Sequence, residues 1–345
     1  MYKISVIIPV GSGRMGNLKN TLHALELQSC TDFEVILVND GSGDPIHEFT
    51  KSKLDIKYVL TKKYQRLPIF DEQYTSENPV PPRNRGAMLA SGTHYLFLDS
   101  DVIVNKDVVE LFYEDIRENP HRSVMGLYDW LPPCRITPQL VKDGLDAIYE
   151  YIPYVNKDGK DDVDVKLKIP KLPYPEGGQT HNVCRDQRYV MFQESNPSDV
   201  FYGPGNMNCY LGMFSGLSLS WRDTFWKSGG YWNTLTAGIV DDGSFGLTHW
   251  IMSTERDADR NIVLKDGQPI LVDGFGVSFD KRIHGAHQYH PRNVKFVQET
   301  SAREVDYINQ MFGLEQYNDG RLPLIPKSVQ ELTKDVNKYW QVDKW

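Results

Sequence analysis

The first 130 residues alternate between apolar runs of strand length and segments whose apolar residues recur at helical spacing. "KISVIIPV" predicts a buried strand, "NLKNTLHALELQ" a helix and "FEVILVND" a second buried strand, with "IKYVLTKK" a third. A polar, proline-rich stretch from Tyr64 to Pro82 predicts a loop. "PRNRGAMLASG" then predicts a short helix opened by proline and closed by Gly92. "HYLFLDSD" is the next strand, followed by a helix with Asp107 at its cap. Alternation of this kind implies an α/β fold whose mostly parallel sheet is covered on both faces and binds ligands beyond the carboxyl ends of its strands.

After Leu131 the pattern changes, and a helix is predicted from Pro138 to Tyr151. "NKDGKDDVDVKLKIPKLPYPEGGQ" is charged and proline-containing and reads as an exposed insertion or hairpin. "MFSGLSLSWRDTFWKSGGYW" predicts a strand, a short helix and a double-glycine turn, and "DDGSFGLTHWIM" a helix with its acids at the N-terminus. "NIVLKDGQPILVD" carries the Asp-Gly signature of a hairpin. From Val294 onward two helical patterns follow, a C-terminal cap or an oligomer contact. These shifts divide the chain into residues 1–130, 131–293 and 294–345.

A chain of 345 residues can bury one large core or two subdomains that share a cleft. The net charge of −8 gives no general attraction to polyphosphates or anionic lipid, so a nucleic-acid partner is not indicated by charge. Four scattered cysteines form neither a C-x-x-C pair nor a disulfide framework, which suits reduced thiols in a cytosol. No run of about 18 apolar residues occurs. The expectation is a soluble cytoplasmic protein, with peripheral contact to a membrane surface left open.

The candidate chemistry gathers at predicted strand ends. Asp99 and Asp101 end the fourth strand two residues apart, where side chains on a continuing strand would share one side. Two such carboxylates repel unless a cation lies between them, and a divalent metal that also bridges substrate phosphates meets that need. Asp40 ends a neighbouring strand and should lie on the same edge, where it could accept hydrogen bonds from a nucleobase or ribose. Arg83 and Arg85, at a helix start, suit a diphosphate. His284, His287 and His290 recur at three-residue intervals late in the chain, and any of them could supply a metal ligand, with His287 preferred.

"VIIPVGSGRMGNL" also contains G-x-G-x-x-G at Gly11, Gly13 and Gly16, between a strand and a helix, so a dinucleotide-dependent oxidoreductase is a rival reading. Against it, Pro9 interrupts the strand and Asp40 opens the turn "DGSGD". A catalytically silent carbohydrate-binding scaffold is a second rival.

The ordered set "SVIIPV…LKNTLHALELQSCTDFEVILVNDGSGD…PRNRGAMLASGTHYLFLDSD" resembles the nucleotide-binding half of GT-A fold glycosyltransferases, particularly the inverting family 2 and its chondroitin-polymerase-like relatives. The resemblance implies a Rossmann-like nucleotide-sugar-binding subdomain at 1–130, an acceptor-binding, catalytic subdomain at 131–293 and a helical extension at 294–345. It implies that Pro9 and Asp40 contact the nucleobase, Arg83 or Arg85 the donor diphosphate, Asp99 the ribose or metal, and Asp101 the metal. Mn2+ or Mg2+ would be the cofactor and a nucleotide-diphosphate sugar, with UDP the favoured carrier, the donor. "FSGLSLSWRDTFWKSGGYWNTLTAGIVDDGSFG" is similar to the family's acceptor region, where a double glycine precedes an acidic pair; here that pair is Asp241 and Asp242, with Asp242 expected as the base. The acceptor hydroxyl could belong to a glycan, a lipid-linked sugar, a protein or a modified DNA base, and inversion is expected with retention left open. The sequence departs from its relatives at "GSGRMG", where they carry a Tyr-Asn-like turn.

Overall fold

Residues 4–60, 80–150, 216–228, 230–231 and 276–290, with shorter stretches between 152 and 272, are described by the structure, a computed structural model. β1 (Ile4–Val10) and β2 (Phe33–Asn39) are buried along their whole length, as expected of central strands covered on both faces. They pair in parallel from Ile4–Phe33 to Val10–Asn39. β3 (Ile56–Leu60) adds to β2 as an edge strand with mixed exposure, and β4 (His94–Leu98) adds to the other side of β1. Because all four run in one direction, the residues after Val10, Asn39 and Leu98 emerge on the same sheet edge.

α1 (Met15–Glu26) follows β1 and buries Leu18, Thr21, Leu22, Ala24 and Leu25, the spacing its apolar pattern predicts. A 3-10 turn at Ile46–Lys51 separates β2 from β3, and α2 (Val80–Leu89) precedes β4. Glu34 fastens the opposite edge: its carboxylate accepts from Ser5 Oγ at 2.6 Å, Ser91 N at 2.6 Å and Ser91 Oγ at 2.8 Å, and pairs with Lys57 Nζ at 2.6 Å.

After β4 the chain turns at Asp99–Asp101 into β5 (Val102–Val104), then α3 (Val108–Glu118) and β6 (Ser123–Trp130). Asp107 holds the N-cap position of α3 as expected, though its side chain makes no capping hydrogen bond. The helix expected over Pro138–Tyr151 is two helices, α4 (Pro138–Asp143) and α5 (Leu145–Glu150). The break falls at Gly144, whose φ of 97° only glycine adopts readily and which ends α4 by donating to the carbonyls of Leu140 and Val141.

The charged insertion begins just after β7 (Ile152–Val155), which pairs antiparallel with β8 (Asp161–Leu167) inside it; β9 (Lys171–Leu172) also falls within it, and β10 (Val183–Cys184) and β11 (Val200–Tyr202) lie beyond it. β12 (Leu217–Trp221) runs antiparallel between β4 and β6 and leads into α6 (Arg222–Lys227). β13 (Leu264–Lys265) and β14 (Gln268–Pro269) form the hairpin expected at Asp-Gly, with Asp266 at φ 54°. Last comes β15 (Val277–His287), parallel to β6 and antiparallel to β5 and β11. The main sheet therefore runs β11–β15–β6–β12–β4–β1–β2–β3. Residues 294–345 lie outside the described residues. Among the described residues no helix is long and apolar enough to cross a membrane.

α3 presses against β15. Asp115 on α3 is buried there, and its carboxyl is pushed up to about 7, first by burial and then by the charge of Asp280, with Arg282 and Arg122 opposing. A folded-state value above the unfolded one means that the folded protein holds a proton that the unfolded chain releases, so stability falls as pH rises from about 4 to about 7. The loss is at most about 4 kcal/mol. Asp115→Asn should flatten this decline, seen as a smaller drop in urea midpoint between pH 5 and pH 8. Equal drops in the two proteins would show that Asp115 is not the group responsible.

Candidate functional site

The candidate site residues gather at the carboxyl edge of β1, β2 and β4. Pro9 does not interrupt β1 as expected: it is buried within the strand and pairs with Val38 of β2, past the last β1–β4 pair, Ile7–Phe97, so a missing N–H there breaks no ladder to β4. Asp40 is 5% exposed, and its N–H donates to Val10 O at 3.0 Å, so it is seated at the junction of β1 and β2.

The glycine loop after β1 is tied down by an acid. Gly13, with φ 74°, donates its N–H to Asp44 Oδ2 at 2.8 Å. A short relay continues through Asp44 N to Ser42 Oγ at 2.9 Å and Ser42 N to Asn39 Oδ1 at 2.8 Å. A dinucleotide loop presents such amides to a pyrophosphate. Here a carboxylate occupies one of them and would repel that anion, which weighs against the oxidoreductase reading.

Asp99 and Asp101 do not share a side in the way a continuing strand would dictate. β4 ends at Leu98, and Val102 N donates to Asp99 O at 3.2 Å, so the D-x-D segment is a turn and its two acids take different partners. Asp99 Oδ1 accepts from Arg83 Nη2 at 2.7 Å, with the arginine side chain 4% exposed. The Arg83 guanidinium also lies 5.3 Å from the centre of the Tyr231 ring. Asp99 N donates to Gly216 O at 3.0 Å, and a Cβ at Gly216 would come within 2.8 Å of Asp99 Oδ2, so a glycine lets β12 approach this carboxylate. Arg85 is partly buried.

Asp101 meets two histidines. Its Oδ1 lies 3.4 Å from His287 Nε2 and its Oδ2 3.2 Å from His290 Nε2. One ligand atom from each of Asp101, His287 and His290 lies within 4.8 Å of the others, and Asp99 does not belong to the group. β5 makes this meeting possible, because its antiparallel ladder with β15 sets His287 opposite Val102. A Cβ on Gly285 would come 2.8 Å from Val102 Cγ1 and 3.1 Å from Ile103 O, so the close approach needs glycine. The Trp130 ring is centred 3.9 Å from that of His287, and Leu131 N donates to His287 O at 2.8 Å. α1 braces the following residue: Gln288 accepts from Asn20 Nδ2 at 2.8 Å and donates to Asn17 O at 3.0 Å, while its own N–H donates to Asp101 O at 2.7 Å.

His284 goes elsewhere. Its Nε2 is 3.3 Å from Asp129 Oδ2 and 3.2 Å from Tyr149 Oη. Of the three histidines, then, His287 and His290 converge on Asp101. Asp241 and Asp242 lie outside the described residues.

Sequence reasoning passed over Asn84. Its amide brackets the backbone of Tyr231, donating to Tyr231 O at 2.7 Å and accepting from Tyr231 N at 3.0 Å. It thereby ties the backbone at Tyr231 to α2. Its place between two arginines in "PRNRG" was the available signal.

A family model, "Glycosyl transferase family 2", matches residues 5–143. An uncharacterised glycosyltransferase of Rickettsia conorii is 34% identical over 117 residues, which is 34% of this chain and 18% of the relative. A poly(ribitol-phosphate) beta-glucosyltransferase of Bacillus spizizenii is 31% identical over 126 residues, 36% of this chain and 19% of the relative. The chain thus spans less than a fifth of the length of these curated relatives. Among solved structures, residues 1–349 of S. aureus TarS in complex with UDP-GlcNAc align with a TM-score of 0.52 at 14% identity, covering 98% of this chain and 72% of that one, a likeness of fold. Residues 5–143 therefore match the glycosyl transferase family 2 model, and the chain has the GT-A fold of its structural neighbour.

Proposed function

We propose that this protein is a metal-dependent glycosyltransferase that moves a sugar from a UDP-sugar to an acceptor hydroxyl with inversion. The convergence of Asp101, His287 and His290 at the carboxyl edge of the family 2 domain carries the reading. One carboxylate with two imidazoles suits a first-row cation better than magnesium, which prefers oxygen ligands throughout, so manganese is the favoured ion. A bound cation would neutralise charge that develops on the departing diphosphate.

The remaining roles fall to the chain's own residues. Pro9 and Asp40 lie where a nucleobase would enter, and the buried Asp40 carboxylate would accept its hydrogen bonds. Arg83 holds Asp99; Asp99 would face the ribose and diphosphate, and Arg85 would contact the phosphates. Asp242 takes the proton from the acceptor hydroxyl as it attacks from the face opposite the nucleotide, and Asp241 orients the acceptor. The acceptor is a hydroxyl on a polymer, as is the poly(ribitol-phosphate) named for the Bacillus spizizenii relative.

A panel of sugar nucleotides, with NAD and FAD included, tests the reading by thermal shift with and without manganese, followed by assay of UDP release. A ligand that binds only the native state must raise its melting temperature. UDP-sugars should raise it when manganese is present, and UDP should then be released. A shift with NAD instead would favour the oxidoreductase, and a UDP-sugar shift with no release under any acceptor would favour a silent scaffold.

A further inference from the structure

β15 carries His287, but a regular ladder would not aim it at Asp101. Val277, Ser278 and Phe279 pair with Ser123, Val124 and Met125 of β6, whereas His284 pairs with Leu127 and His287 with Trp130. Between Phe279 and His284, β15 advances five residues while β6 advances two, so three extra residues are accommodated in a bulge. Side chains alternate along a strand, and an odd insertion moves everything after it to the other face. In regular register His287 would share the face of Asp129 and would run beyond the end of β6. The bulge instead puts it on the face of Tyr128 and Trp130, level with Trp130, and turns His284 to the face of Asp129.

The bulge is clamped by charged residues that are remote from the site. Asp280 is fully buried, and its carboxylate accepts from Arg282 N at 2.9 Å, from Nε at 3.0 Å and from Nη2 at 2.6 Å. The other arm of the guanidinium, Nη1, reaches Glu114 Oε2 on α3 at 2.8 Å. Ile283, between the clamp and His284, is buried and fills the space a side chain at Gly126 would take, 2.6 Å from that position. One arginine thus folds the bulge onto its own strand and fastens it to a neighbouring helix.

We infer that Asp280, Arg282 and Glu114 are positioning residues that set the register of β15 and so present His287 and His290 to the cation held with Asp101. The inference rests on the metal-dependent reading above, and its test separates the two.

The full chain and its Arg282→Ala, Arg282→Lys and Glu114→Gln variants are titrated with Mn2+ alone. Free Mn2+ is followed by continuous-wave electron paramagnetic resonance, and 14N modulation from bound imidazole by pulsed resonance. UDP affinity in EDTA and the urea midpoint are measured on the same samples. Supporting groups around metal ligands typically change affinity by about 10- to 100-fold. Arg282→Ala should weaken Mn2+ binding by at least about 10-fold and diminish the 14N modulation, with metal-free UDP affinity unchanged within about 2-fold and partial recovery in Arg282→Lys. Glu114→Gln leaves Asp280 paired and covers the case in which Arg282→Ala does not fold; it should weaken Mn2+ binding by about 3-fold, below the range for a lost direct support. Wild-type Mn2+ affinity and modulation in both variants would overturn the inference, as would parallel loss of Mn2+ and UDP binding with a lowered urea midpoint, which would mark the clamp as a general support of the fold. Absence of 14N modulation in the unaltered protein would overturn the metal reading itself.

Discussion

Asp101→Ala should abolish manganese-dependent UDP binding while leaving the protein folded. Asp101 is the carboxylate on which both histidines converge, at 3.4 Å and 3.2 Å, and without it the remaining candidate ligands are two neutral imidazoles. A divalent ion loses its anionic ligand and the charge balance that goes with it. The loss in UDP affinity with manganese present should be at least about 100-fold, beyond the range seen for supporting groups alone. The fold should survive because the ties around this residue run through the backbone. Asp101 O still accepts from Gln288 N, and the β5–β15 ladder does not involve its carboxylate. Calorimetric titration of UDP with manganese decides the first point and the circular dichroism spectrum the second. Wild-type affinity in the variant would remove Asp101 from the metal site.

The second large effect concerns the proton. A general base stabilises the transition state and little else, so Asp242→Asn should lower the turnover number by roughly 100-fold or more while donor affinity changes little. Asp241→Asn should be milder if that residue orients the acceptor. The two differ by one position in a segment that opens, from sequence, as the N-terminus of a helix, where successive residues point in different directions. Steady-state rates with a turned-over donor and acceptor separate them. Near-native transfer by Asp242→Asn would place the base elsewhere and take away the main support for inversion.

The central sheet was legible because its strands announce themselves locally. β1 and β2 are unbroken apolar runs, and α1 buries the residues its spacing selects. The common edge of Asp40 and Asp99 followed from parallel pairing, which the strand–helix alternation already required. The site's finer geometry depended on contacts distant in sequence. β5 is three residues long and reads as the tail of the strand before it, yet its pairing with β15 is what brings His287 to Asp101. The divergence of Asp99 and Asp101 turns on a backbone hydrogen bond from Val102 N, and no side-chain pattern encodes it. Of three histidines at equal spacing His287 was preferred, but nothing in the spacing separated His290 from His284, because the bulge that fixes their faces lies before the first of them. The break at Gly144 was similarly hidden, since an isolated glycine in a helical pattern is tolerated unless its φ turns positive, as it does here.

The most direct test is a crystal of the full chain grown with UDP and manganese and measured at the manganese absorption edge. The expected result is one anomalous peak bonded to Asp101, His287 and His290, with the uracil beside Asp40 and the diphosphate next to the metal. UDP bound in this cleft with no anomalous peak, or a peak held by other residues, would contradict the assignment.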